Sequence, residues 1–572
     1  MTKSPPTGGS ITAGGALLAR LKAVGVEFIF ANSGTDFPPI IEGLSEALAK
    51  DIPLPRAIVI PHENAAMGMA YGAFLATGRA QAVMAHTNVG LANCAIGAIN
   101  AAAERVPMLL MSGRTPVTEK GRLGTRTVPI GWGQEMRDQT ALVREASKWD
   151  YELKFPEQAV DLVDRAHAIA TSTPKGPIYL SLPREVLCEP CPANDLDRPS
   201  LMAPVAVAPR ADDLARAADL LAKAERPVII AQRGAGSPAG FAALSTIADS
   251  WAIPVVQYWA IQLGVPTDHP MAVGMDPAPW LADADAVLVI DALAPWSPDK
   301  HPLPSETPVI HLGPDPLSAR FPVRNFRADL SLPGETADTI VALADALAAR
   351  LPGREAAIAA RRARVAPAAA IQRATVRATA EAGGGDLMTK AFVSLCLSKA
   401  IAGRNATVLS ELGCPLEPMS LDHHGAWYQE PHSGGLGWSF PTSLGIQIAD
   451  PDRLVIATMG DGSYMFANPV ACHQIAEALT LPVLVLVLNN SEWGAVRHSV
   501  LDVYPDGYAS RTNQMPLISL DPSPDFTKVA EASRAWTAKA RTGAELPGIL
   551  AEAIEQVTVH KRPALVEIRI AP

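Results

Sequence analysis

Two places in the sequence put oxygen ligands directly after an apolar run. Gly460-Asp461-Gly462-Ser463 follows Leu454–Ala457, and Asn489-Asn490 follows Pro482–Leu488. In open α/β sheets ligands sit beyond the carboxyl ends of the strands, so both places merit a chemical reading. A carboxylate, a carboxamide and a main-chain carbonyl are the hard donors that Mg²⁺ or Ca²⁺ selects, and they leave coordination positions for phosphate oxygens. The glycines allow close approach to a diphosphate, and a helix following Ser463 turns its positive end toward it. Gly-Asp-Gly by itself fits a tight turn equally well. The asparagine pair after a second strand adds the ligand reading. A third place is Glu63, at the strand end in "AIVIPHENAAMGMAYGAFLATG", opening a helix of small residues. Taken alone, such a glutamate is a partner for the helix dipole.

The elements that must position these residues follow one pattern. Short apolar runs alternate with helical stretches, which predicts parallel sheets with helical crossovers. The expected strands are Val26–Ala31, Ala57–Ile60, Gln81–Ala85, Pro107–Met111 and Pro177–Leu182, then Pro227–Ala231, Pro254–Tyr258, Ala286–Ile290 and Pro308–Leu312. A last set is Ala406–Leu412, Arg453–Met459, Pro482–Leu488 and Ala564–Ile570. The proline-rich "CEPCPANDLDRPSLMAPVAVAP" reads as a linker, and the Ala/Arg-rich stretch from Leu351 to Asp386 as a second, helix-bearing one. The expected fold is α/β with three tandem αβ domains, over residues 1–190, 205–350 and 380–572.

Composition narrows the partners. With 572 residues, 48% hydrophobic and 19% charged, the chain suits several well-buried α/β cores. A net charge of −10 without a basic stripe argues against nucleic acid and anionic membranes. The start, "MTKSPPTGGS", has no apolar core of a signal peptide, and six cysteines are too few for a disulfide framework. A cytoplasmic protein is expected. Cys188-Glu-Pro-Cys191 has CxxC spacing without a second pair, and reads as two thiols beside a linker.

Gly-Asp-Gly followed by Asn-Asn resembles the signature of thiamine-diphosphate-dependent enzymes, and the three-domain layout extends the likeness over nearly the whole chain. The resemblance implies that Asp461, Asn490 and the carbonyl of Glu492 hold Mg²⁺, with Gly460, Gly462 and Ser463 around the diphosphate. Pro61-His62-Glu63 with Ala66 matches the family's glutamate motif. It implies that Glu63 protonates the aminopyrimidine ring, so that the imino group generates the thiazolium ylid. In "HSGGLGWSFPTSLGIQIAD" the family pattern gives Gly434 a carbonyl contact to the aminopyrimidine and Leu436 the wedge that bends the cofactor. The family builds its sites at subunit interfaces, which implies a homodimer or homotetramer.

Within this family the sequence is most similar to benzoylformate decarboxylases, in the group of 2-oxo-acid decarboxylases and acetohydroxyacid synthases. "FANSGTDFPPI" places Thr35 at a substrate serine position and Ser33 where the pattern has proline; "MAHTNVGLANC" places His86 at an active-site histidine. Gln134, Trp438, Ala495 and Ser499 fall at further substrate-facing positions. The second histidine has no clean counterpart: His301 and His424 are the candidates, with His423 and His432 nearby. The middle domain's "AQRGAGSPAG" is a weak nucleotide signal. FAD is disfavoured because the arginine-phenylalanine pair that helps hold it is missing after the later strand, and an acyl-CoA role stays open. The implied activity is cleavage of a 2-oxo acid through an enamine that is protonated to an aldehyde. The alternatives are an acetolactate-synthase-like carboligase, a 2-hydroxyacyl-CoA lyase and a cofactor-binding paralogue without catalysis.

Overall fold

Strands buried on both faces call for near-continuous apolar runs, and the central strands of this chain supply them, with Gln81 a polar exception whose Oε1 accepts the Glu27 and Phe28 N–H groups. Gln81–Ala85, Pro227–Ala231 and Ala286–Ile290 are buried throughout, as expected where helices cover both sides of a parallel sheet. A computed structural model describes residues 10–193 and 196–571; the start of the chain (1–9), residues 194–195 of the proline-rich linker and the final residue, 572, lie outside them.

Three parallel sheets result. The first runs in the order Arg56–Val59, Phe28–Ala31, Gln81–Ala85, Met108–Arg114, Ile178–Pro183, Asp150–Glu152. The second runs Val255–Val256, Pro227–Ala231, Ala286–Ile290, Val309–Gly313, Leu330–Pro333. The third runs Trp427–Gln429, Ala406–Glu411, Leu454–Gly460, Leu484–Asn489, Ala564–Arg569, Trp536–Ala540. Each therefore has a point where the strand order reverses, the place at which open α/β sheets bind ligands. The expected middle strand Pro254–Tyr258 shrinks to Val255–Val256, and just after it the Gln257 side chain accepts the Gly264 N–H (2.8 Å).

By internal contacts the chain falls into two compact units. One holds the stretch ending at Val205 together with Pro431–Asp452 and Ala467–Leu481; the other holds Ala206–Glu430, Arg453–Phe466 and the chain from Pro482 on. The first unit is built around the first sheet. Its helix Glu63–Thr77 is buried from Glu63 to Ala73, so it needs small residues on every side. The His62 ring caps its start by accepting the Asn64 N–H (3.2 Å), and Gly78 ends it at φ +69. The helix Ser439–Ala449 packs along it with almost no spacing: a Cβ on Gly72 would collide with the Thr442 carbonyl, and one on Gly445 with that of Met69.

The second unit joins the other two sheets through one continuous apolar core. The Ala/Arg-rich segment, expected as a helix-bearing linker, is a helix of 28 residues, Glu355–Ala382. It does more than connect. Arg361 is buried and donates to the carbonyls of Ala224 (2.6 Å), Trp251 (2.6 Å) and Glu225 (3.1 Å), which closes the loop ends of the second sheet.

Candidate active site

In the first unit, three strand ends carry the expected residues. Phe28–Ala31 leads into Ser33 and Thr35, both exposed; Arg56–Val59 leads to Glu63; Gln81–Ala85 leads to His86. Glu63 is 6% exposed, and its Oε2 accepts from Asn93 Nδ2 (3.0 Å) on the helix Thr87–Ala103. His86 holds the Asp36 carboxylate on Nδ1 and lies 3.1 Å from Gln134 Nε2 on its other nitrogen. The Asp36 hydrogen bond, reinforced by the charges of Asp36 and Glu63, raises the His86 pKa against the opposing effect of burial.

The glycine run belongs to this unit and is tied to the same two helices. Asn64 Nδ2 donates to the Gly437 carbonyl (3.3 Å), and Asn100 Nδ2 to that of Gly435 (2.9 Å). Gly434 and Gly437 take positive φ, +69 and +82, which is where glycine is required. Leu436 stays half-buried, whereas Trp438 is buried edge-on against Tyr71 (ring centroids 5.6 Å apart). Asn64, Asn93 and Asn100 were not singled out from the sequence. Their signal was available: amides inside helices made mostly of alanine, glycine and apolar residues.

In the second unit, Asp461 follows the end of Leu454–Gly460, beside the reversal point of the third sheet. The expectation that a helix follows Ser463 needs correction: the helix is Asp461–Phe466, so Gly462 and Ser463 lie within its first turn. Gly462 lies tight against the Trp493 ring, which a Cβ would enter and displace. Asp461 is 2% exposed, and burial raises its carboxyl to about 6, opposed by the backbone N–H groups of Gly462, Asp461 and Ser491. Its Oδ2 is buried without a hydrogen-bond partner among the described residues. Asn490 turns the next strand end by accepting the Glu492 N–H (3.2 Å). Among the described residues no cluster of three or more His, Cys, Asp or Glu side chains could hold a metal by itself. One buried carboxylate with a free oxygen, beside an asparagine and main-chain carbonyls, suits a cation completed by phosphate oxygens. A cleft of about 350 Å³, lined in part by Asn489, Asn490, Ser491, Arg541 and Arg569, opens beyond the neighbouring strand ends.

The remaining expected residues also lie in this unit. Ala495 and Ser499 are exposed on the helix Gly494–Val503, which buries no residue. His301 accepts the Ser297 N–H (2.9 Å) and meets the Tyr258 ring edge-on; His424 packs against Phe241, and burial lowers its pKa. The reversal point of the second sheet is bridged by Gln232, which bonds the carbonyls of Tyr258 (3.1 Å) and Ala294 (3.0 Å) and the Leu293 N–H (2.8 Å). All six cysteines are free thiols, Cys188 and Cys191 included. Among the described residues no helix is long and apolar enough to cross a membrane.

Sequence comparison assigns this architecture. Residues 11–142 match the N-terminal TPP binding domain of thiamine pyrophosphate enzymes, 214–343 their central domain, and 416–568 their C-terminal TPP binding domain. The chain belongs to the thiamine pyrophosphate enzyme family. It is 28% identical to a probable 2-ketoarginine decarboxylase of Pseudomonas aeruginosa, over 89% of this chain and 88% of that protein. It is 25% identical to benzoylformate decarboxylase of the same organism, over 96% and 97% of the two chains. A probable acetolactate synthase large subunit of Methanocaldococcus jannaschii is also 25% identical, over 97% and 91%. A thiamine diphosphate-dependent 4-hydroxybenzoylformate decarboxylase from Rhodococcus jostii RHA1 shares the fold, with a TM-score of 0.76 at 22% identity, over 98% of this chain and 99% of that one.

Proposed function

We propose that this chain is a thiamine-diphosphate- and Mg²⁺-dependent enzyme that decarboxylates a 2-oxo acid. The observation that carries this reading is Asp461, a buried carboxylate with an unpartnered oxygen in a segment that matches a TPP binding domain. Asp461, Asn490 and the Glu492 carbonyl would hold Mg²⁺, and Gly460, Gly462 and Ser463 would meet the diphosphate. When bound, the cofactor supplies a carbon nucleophile and an electron sink for the C–C bond that breaks. Glu63 would hold a proton toward the aminopyrimidine, the Gly434 carbonyl would accept a hydrogen bond from it, and Leu436 would pack against the cofactor. His86 moves a proton at the substrate, with His424 or His301 as a second acid or base. Ser33, Thr35, Gln134, Trp438, Ala495 and Ser499 are the positions at which substrate choice is made.

The enzyme works as a homodimer or homotetramer in the cytoplasm, with each site completed by a second copy of the chain. A panel of 2-oxo acids, including pyruvate, 2-ketoarginine and aryl-glyoxylates, tests the reading by product identification. Aldehyde and CO₂ support it. Acetolactate from pyruvate replaces it with a carboligase, in line with the acetolactate synthase relative. No turnover, with C2 hydrogen exchange of the bound cofactor no faster than in free solution, leaves a binding protein. Sedimentation tests the assembly.

A further inference from the structure

The loop after Phe28–Ala31 and the end of Gln81–Ala85 meet at the reversal point of the first sheet, and a carboxylate stands there behind the histidine. The Asp36 side chain is 2% exposed; one oxygen takes His86 Nδ1 and the other the Thr87 N–H (3.2 Å). The backbone makes room for this pair. A Cβ on Gly34 would enter the His86 ring, and one on Gly113 would enter the Asp36 carboxylate. A carboxylate accepts only, so a neutral His86 must carry its proton on Nδ1 and present a lone pair at Nε2. The Gln134 amide 3.1 Å away can donate to that lone pair.

We propose that Asp36 is a positioning residue that holds neutral His86 in its Nδ1–H form, making Nε2 the atom that takes up and returns the proton. When Nε2 gains a proton the ring becomes imidazolium, its Nδ1–H stays on Asp36, and the Gln134 carboxamide turns to present its oxygen. The reverse transfer restores the neutral ring. The charged groups facing the ring are Asp36 from the loop and Glu63 from its helix. Glu135, next to Gln134, is committed to Arg114 (2.6 Å) and Arg126, and Arg184 spends a guanidinium N–H on the Thr35 carbonyl (3.0 Å). The proposal rests on the decarboxylase reading for the use of His86, but the tautomer does not depend on it.

The test uses the full-length protein labelled with ¹⁵N-histidine, with His86 among the 12 histidines assigned from the H86N spectrum. Wild-type His86 should show the Nδ1–H pattern; an Nε2–H pattern overturns the proposal and needs no further variant. D36N keeps an oxygen for the Thr87 N–H but offers N–H to Nδ1. It should invert the tautomer, lower kcat by about 100-fold or more, and move the acid limb of the pH profile down by about one unit or more. An unchanged tautomer and profile in folded D36N also overturn it. If the tautomer inverts but wild type has no activity on any 2-oxo acid, the functional reading fails and the assignment of Asp36 stands.

Discussion

Asn93 holds one oxygen of Glu63 at 3.0 Å while the other packs against Gly90, where a Cβ would come within 2.8 Å of it. The carboxylate is thus fixed in a buried place by one amide and one missing side chain, with no cation paired to it among the described contacts. That setting supports the proton-holding role proposed for Glu63.

Glu63→Gln follows directly. Glutamine keeps the shape and can still accept from Asn93, so the fold and cofactor binding should persist. The proton-holding role disappears, and turnover should fall by about 10²- to 10⁴-fold. Circular dichroism, cofactor titration and initial rates check the three parts. Full activity in the variant would remove Glu63 from the mechanism.

Asp461→Ala tests the other end. The carboxylate is buried with Oδ2 unpartnered, so its loss should leave the metal-free fold intact while abolishing Mg²⁺-dependent retention of thiamine diphosphate. Titration calorimetry with and without Mg²⁺ measures this. Equal cofactor affinity in both conditions would show that Asp461 is not the metal ligand.

The central strands were legible because burial on both faces demands unbroken apolar runs. Asp150–Glu152, Leu330–Pro333, Trp427–Gln429 and Trp536–Ala540, all edge strands of the parallel sheets, were missed, as was the antiparallel pair Ser10–Thr12 with Pro190–Pro192, the latter inside the stretch expected as a linker. With one neighbour and partial exposure, an edge strand needs no such run. In the proposed site, Asp461 and Asn490 stood out because each directly follows a strand, and Glu63 because it opens the helix after one within a recognisable Pro-His-Glu motif. Asp36 did not, although it also lies at a strand end: its partner His86 is fifty positions away, and only the sheet order brings them together.

The close packing of helix Glu63–Thr77 on helix Ser439–Ala449 gives a steric prediction. Gly72→Ala puts a methyl into the Thr442 carbonyl and should cost about 1–3 kcal/mol. Gly548→Ala, in the helix Leu546–Thr558, meets nothing within 4 Å. It should be neutral or stabilising by up to about 1 kcal/mol. Urea midpoints of the two variants separate the outcomes. Equal stabilisation of both would mean that helix propensity, not contact, decides the sign.

Acid should destabilise the second unit through His311. The imidazole is buried, donates Nε2–H to the Arg327 carbonyl (2.9 Å) and accepts from Arg324 (3.3 Å). Burial and the Arg324 charge push its pKa down from 6.5 to about 4. The folded value lies below the unfolded one, so the contribution is complete above pH 6.5 and is lost as the pH falls through about 4. At roughly 1.4 kcal/mol per pKa unit the loss amounts to about 3 kcal/mol. His311→Gln keeps a donor and an acceptor without titrating, so its urea midpoint should fall less than that of wild type between pH 7 and pH 4. His473, buried in the first unit and lowered to about 3, adds the same sign of dependence there and remains in both proteins. Parallel acid losses in wild type and His311→Gln would show that His311 does not titrate on unfolding.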